Sequence, residues 1–85
     1  MAVSILNLTE GGVSLEFDSG DTKAVREAIR RRYGPLRRRW HVLSADVTFG
    51  GERFVFQNEW NDPCLISRSA AGAEMLERIA GDLGG

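Results

Sequence analysis

The sequence predicts an α+β chain: a two-layer sandwich with two helices on one face of an antiparallel sheet. The sheet has four strands, or five if residues 64–66 add one. Three observations predict this. Two Gly-Gly pairs, Gly11-Gly12 and Gly50-Gly51, each stand between runs in which apolar and polar residues alternate, the pattern of a β-hairpin with a tight turn. Each hairpin is followed by a segment whose apolar residues recur every three or four positions, the pattern of a half-buried helix. The order is therefore ββα-ββ(β)α, and helices that follow tight hairpins in this way pack on one side of the sheet. The two hairpin–helix units form a loose structural pseudo-repeat.

The first hairpin occupies residues 3–17. Val13, Leu15 and Phe17 alternate with Ser14, Glu16 and Asp18, so the former face the core. With a two-residue loop at Gly11-Gly12 or at Glu10-Gly11, Leu6 and Leu8 join that inner face. Val3 and Ile5 then point to the outer one. Ser19, Asp21 or Thr22 caps the first helix by accepting a bond from a free N–H of its first turn. Val25, Ala28, Ile29 and Tyr33 form its apolar stripe. Gly34-Pro35 ends it, because glycine accepts a left-handed turn and proline cannot continue a helix.

The central hairpin spans residues 40–60. About a Gly50-Gly51 loop, Phe49 lies opposite Glu52, Val47 opposite Phe54 and Ala45 opposite Phe56. Extending the alternation places Leu43 opposite Asn58 and His41 opposite Trp60 on the same inner face. Trp40, Val42, Ser44, Asp46 and Thr48 then share the outer face with Arg53, Val55, Gln57 and Glu59, and Asp46 sits diagonal to Arg53. By this reading Trp60 points inward beside His41, and Trp40 points outward beside the arginines.

Residues 58–63, NEWNDP, make a turn-rich connection. Residues 64–66 are a short apolar run in which Cys64 reads as a small buried hydrophobe. Ser67 or Ser69 caps the second helix, residues 70–83, whose stripe is Ala73, Leu76, Ile79, Ala80 and Leu83. Gly72 and Gly81 weaken that helix, each by about 1 kcal/mol relative to alanine. Gly84 and Gly85 fray at its end.

Length and composition bound the function. Eighty-five residues, 42% hydrophobic and 27% charged, predict a single soluble domain. No apolar run is long enough to span a bilayer, and residues 1–12 lack a signal-peptide pattern. The lone Cys64 forms no internal disulfide, so the expected compartment is the cytoplasm. One histidine and one cysteine do not furnish a typical zinc set, and no phosphate-binding glycine loop is present. No cofactor is implied.

The net charge of −1 conceals an asymmetry. Residues 26–39 carry seven arginines against Glu27, a net +6, leaving −7 for the rest. Arg30, Arg31, Arg37, Arg38 and Arg39 are the candidate anion-binding residues, for carboxylates of an acidic protein or phosphates of nucleic acid. The bland account is helix-dipole complementarity at the first helix's end, together with pairing to the acidic remainder. Trp40, Val42, Val55 and Arg53, on the mixed outer face, are the candidate protein-binding residues; the bland account there is scattered exposed β-branched side chains.

Three functions follow. The first is a non-catalytic protein-binding module, a homodimer or a subunit meeting an acidic partner. The second is a nucleic-acid-binding module built on the arginines. The third is a small-molecule or enzyme site near His41, Trp60 and Asp62. Ser67, Arg68 and Ser69 could hold an anion at the second helix's start, though a simple N-cap explains both serines.

Overall fold

The computed structural model describes residues 3–9 and 11–84. Glu10 of one candidate loop, the residues before Val3 and the closing Gly85 lie outside them, as does the Glu59 side chain. The strands are β1 (Val3–Asn7), β2 (Val13–Phe17), β3 (Arg37–Trp40), β4 (Ser44–Phe49), β5 (Glu52–Glu59) and β6 (Asp62–Ser67). A short 3-10 turn, Ser19–Asp21, leads into α1 (Thr22–Tyr33), and α2 (Ala70–Asp82) follows β6.

All six strands join one antiparallel sheet in the order β1-β2-β6-β5-β4-β3. The α+β class holds, with six strands in place of four or five. Residues 64–66 belong to β6, which sits centrally between β2 and β5. The second unit is ββββα, so the two hairpin–helix units are not equivalent. α1 carries the chain from β2, inside the sheet, to β3 at its far edge. The β3 to β6 meander then returns and closes against β2.

Both helices lie on one face. Leu15, Phe17, Val47, Phe49, Phe54 and Leu65 from the strands are buried with Val25, Ala28 and Ile29 of α1 and Leu76, Ile79 and Ala80 of α2. Phe49 stacks on Phe54 with ring centroids 4.1 Å apart, and Tyr33 tilts against Phe49 at 5.8 Å. The predicted stripes of both helices are the ones that enter this core. Gly34 ends α1 as expected: its φ is +86° and its N–H bonds the Arg30 carbonyl at 3.0 Å. The start of α1 differs, since the Asp21 side chain makes no cap bond there. Thr22 Oγ1 donates instead to the Ser19 carbonyl at 2.8 Å.

β1 faces opposite to its predicted orientation. Its loop spans residues 8–12, closed by Leu8 N–H donating to the Gly12 carbonyl at 2.9 Å, and Asn7 pairs with Val13. An odd loop shifts the alternation by one residue and turns every side chain over. Val3 and Ile5 therefore pack inward, opposite Phe17 and Leu15, and Leu6 is exposed opposite Ser14.

The central hairpin holds its predicted register from Phe49 opposite Glu52 to Ala45 opposite Phe56. Beyond Ser44 the predicted strand breaks. His41 N–H donates to the Ser44 carbonyl at 2.7 Å and closes a tight turn over Val42 and Leu43. Residues 37–40 fold back as β3, pairing Trp40 with Ala45 and Arg38 with Val47. Leu43 and His41 thus leave the core, and Val42 sits on the turn rather than on the outer face. Trp40 moves to the helix face, the face of its partner Ala45.

Trp60 is likewise not inward. Trp60 and Asn61 form the two-residue turn between β5 and β6, both left-handed (φ 55° and 61°), and Trp60 is 94% exposed. This turn and the Val42–Leu43 turn lie at the same end of the sheet, since β4 starts where β5 ends. Val42 is 95% and Leu43 80% exposed there.

The start of α2 is tightly held. Ser69 Oγ accepts from Gly72 N–H at 2.9 Å and donates to the Glu52 carboxylate at 2.8 Å. An anion therefore already stands at this N-terminus, where the helix dipole favours one. The N-cap account of the serines is the one seen, and the anion there is the protein's own carboxylate.

Candidate functional site

The face of the sheet without helices carries the charged site. In β3, alternate side chains part to opposite faces. Arg37 lies across from Thr48, which lies across from Arg53, and all three share the outer face. In the next row Arg39 stands beside Asp46, and Asp46 beside Val55. Arg37, Arg39, Asp46, Thr48 and Arg53 line one shallow groove, reached also by Arg38.

Arg37, Arg39 and Arg53 share that groove with one carboxylate, Asp46. Asp46 is held below the ordinary carboxylate range of 3.8, first by its hydrogen bond with His41. Desolvation opposes this, and the charges of His41, Arg53 and Arg39 reinforce it. His41 Nε2 lies 3.0 Å from Asp46 Oδ2. Asp46 and the diagonal Arg53 make no ion pair. Among the described residues Arg37, Arg39 and Arg53 have no carboxylate within ion-pair distance.

The other face of β3 is different in kind. Trp40 is 62% exposed, yet its ring stands at right angles to that of Phe56, centroids 6.2 Å apart. The Arg38 guanidinium lies 5.9 Å from the Trp40 ring centre, within reach of a cation–π attraction. Arg38, Trp40 and Leu36 line an apolar cleft of about 60 Å³ with Val25, Arg26 and Ile29 of α1 and with Phe56. That volume suits the tip of an aliphatic side chain and falls far below the several hundred Å³ of a cofactor pocket.

The arginines do not converge into one patch. Arg37, Arg39 and Arg53 share the outer face, and Arg26 and Arg38 flank the apolar cleft. Arg30 and Arg31 lie with Glu27 along α1. Arg32 is engaged by Asp82 through two bonds of 2.7 Å, the bidentate geometry that guanidinium favours.

The residues of the small-molecule reading separate. Trp60 and Asp62 line a depression with Glu16, Gln57 and Cys64, whereas His41 lines another with Trp40 and Ser44. Cys64 is half-buried rather than buried, and it lies on the outer face. Among the described residues no three of His, Cys, Asp and Glu come together as metal ligands, and no helix is long and apolar enough to cross a membrane.

Sequence reasoning missed two features: β3 as an edge strand, and the pair of apolar turns at one end of the sheet. Arginine is not among the β-branched and aromatic residues that mark strands. The available signal was that charged residues guard exposed sheet edges. Comparison with protein-family models, with curated proteins and with solved structures finds no match to this chain.

Proposed function

We propose that this chain is a non-catalytic binding module for an acidic segment of another protein, held on the outer face of β3 to β5. Arg37, Arg39 and Arg53 are the contacts, with Val55 beside them. The observation that carries this reading is the set of three arginines on one open face, without ion-pair partners among the described residues. Guanidinium pairs with carboxylate through two parallel hydrogen bonds, so an acidic chain matches the charge of this face. A second copy of the same face would set arginine against arginine.

The nucleic-acid reading lacks a stacking surface on that face. Trp40 lies on the opposite side of β3 from Arg37 and Arg39, so base stacking and phosphate contact are not shared.

Fluorescence anisotropy with labelled octaglutamate, oligothymidylate and single-stranded RNA, each at low and moderate salt, tests the proposal. The expected result is octaglutamate binding that the combined Arg37→Ala, Arg39→Ala and Arg53→Ala variant loses and the Arg30→Ala, Arg31→Ala variant keeps. Tighter binding of a nucleic acid with a steep salt slope transfers the site to the second reading. No binding of any probe at low salt removes both.

A further inference from the structure

We propose that the acidic partner adds to β3 as a seventh, antiparallel strand whose residues alternate acidic and apolar; this rests on the reading above and names its mode. β3 is the sheet edge, pairs with β4 alone and is exposed along its length. Such an edge offers unpaired backbone donors and acceptors to an incoming strand.

The ladder fixes which groups are offered. His41 N–H bonds the Ser44 carbonyl, and hydrogen-bonded pairs alternate along an antiparallel ladder. Arg39 with Asp46 and Arg37 with Thr48 are therefore the bonded pairs of β3 and β4. The N–H and C=O of Arg38 and Trp40 point away from β4. The Gly50-Gly51 hairpin agrees, because β4 uses its other residues, Ala45, Val47 and Phe49, toward β5.

The two faces of β3 then set the partner's pattern. Residues bonded to Arg38 and Trp40 place their side chains on the helix face, beside the Trp40 ring and the apolar cleft. The residues between them fall on the outer face beside Arg37 and Arg39, where carboxylates belong. A second copy of β3 centred on Arg38 would set all three arginines against their own kind, and one centred on Arg39 would still set Arg39 against Arg39. An acidic strand supplies the complementary charge.

The test uses a fluorescein-labelled octapeptide of alternating valine and glutamate, together with two N-methylated forms. In the added strand the valine amides face β3 and the glutamate amides face away. Methylating the valine nitrogens should weaken binding by about tenfold for each bond lost, whereas methylating the glutamate nitrogens should leave it unchanged. Amide exchange on the intact chain gives a second readout: Arg38 and Trp40 N–H exchange should slow when the peptide is bound. Binding that tolerates valine methylation, or unchanged Arg38 and Trp40 exchange, overturns strand addition. If octaglutamate binds with the arginine dependence above while the methylation result fails, only the strand mode falls. If neither octaglutamate nor the alternating peptide binds at low salt, the acidic-partner reading falls with it.

Discussion

Replacing Trp60 by Asn and Asn61 by Gly should make the protein more stable, although it removes its most exposed aromatic residue. Both positions are left-handed, with φ of 55° and 61°. That conformation costs an L-residue about 1–2 kcal/mol, less for asparagine, and nothing steric for glycine. Asn-Gly is the favoured pair for a two-residue hairpin turn of this kind. The opposing term is the burial lost with the indole. Trp60 is 94% exposed, so about 15 Å² of a Trp-sized surface is covered, about 0.4 kcal/mol at ~25 cal/mol per Å². The net expectation is a gain of about 0.5–1 kcal/mol, or a rise of roughly 2–8 °C in the midpoint for a chain of this size. Urea titration should show a higher midpoint at unchanged slope, because the surface exposed on unfolding hardly changes. Octaglutamate affinity should be unaltered, since Trp60 does not line the arginine groove. A loss of stability would refute the reasoning and show that the indole makes contacts worth more than the backbone strain.

Gly72→Ala and Gly81→Ala should move stability in opposite directions. A Cβ at Gly72 would lie 2.2 Å from Ser67 Oγ and 2.9 Å from Ser69 Oγ, breaking the cap and costing about 1–3 kcal/mol. A Cβ at Gly81 meets nothing within 4 Å, so alanine should add up to about 1 kcal/mol; equal urea midpoints for the two variants would contradict this. Asp46 and Asp82 are both held below the ordinary 3.8, chiefly by hydrogen bonds from His41 and Arg32 respectively. Depressed carboxyl values stabilise the folded state above the unfolded-state value and lose that contribution as pH falls through the folded one. Stability should therefore decline below about pH 4 on their account, and Asp82→Asn should flatten that decline; an unchanged acid limb would exclude the pair as a contributor. Sedimentation should give the 9.4 kDa monomer. A dimer that Val55→Asp dissociates would instead make the outer face a contact between copies.

What could be read from the residues followed from strong local rules. Gly50-Gly51 permits a two-residue turn, and with it the β4–β5 register from Phe49 to Ala45 is determined. The α1 and α2 stripes follow from spacing alone. The errors share one cause, the extension of an alternation past a turn whose place or length was misjudged. HVLS contains neither glycine nor proline, yet the chain reverses there, because β3 gains a ladder with β4 and Leu36 packs against the core. The loop of residues 8–12 closes with an odd count, which no pattern in LTEGG announces. The latter error inverted β1 and so the faces of Val3 and Ile5; the former moved Trp40 to the helix face and took His41 and Leu43 out of the core. The site was half legible for the same reason: Arg53 and Val55 fall on the outer face as read. Arg37, Arg38 and Arg39 were recognised as charge but not as the two faces of an edge strand.

The seam between β2 and β6 has a kinetic consequence. Leu15 pairs with Leu65 across fifty residues of chain, whereas the other strand pairings join neighbours in sequence. Closing so long a loop costs about 3.5 kcal/mol in chain entropy beyond a constant, and no hydrogen bond of the seam offsets it until the ends have met. The β3 to β6 meander can zip locally, but β1 and β2 must wait for β6 before their apolar side finds the rest of the core. Folding should therefore be gated by one zippering event at this seam, and pulling the two ends of the sheet apart should open the molecule there first.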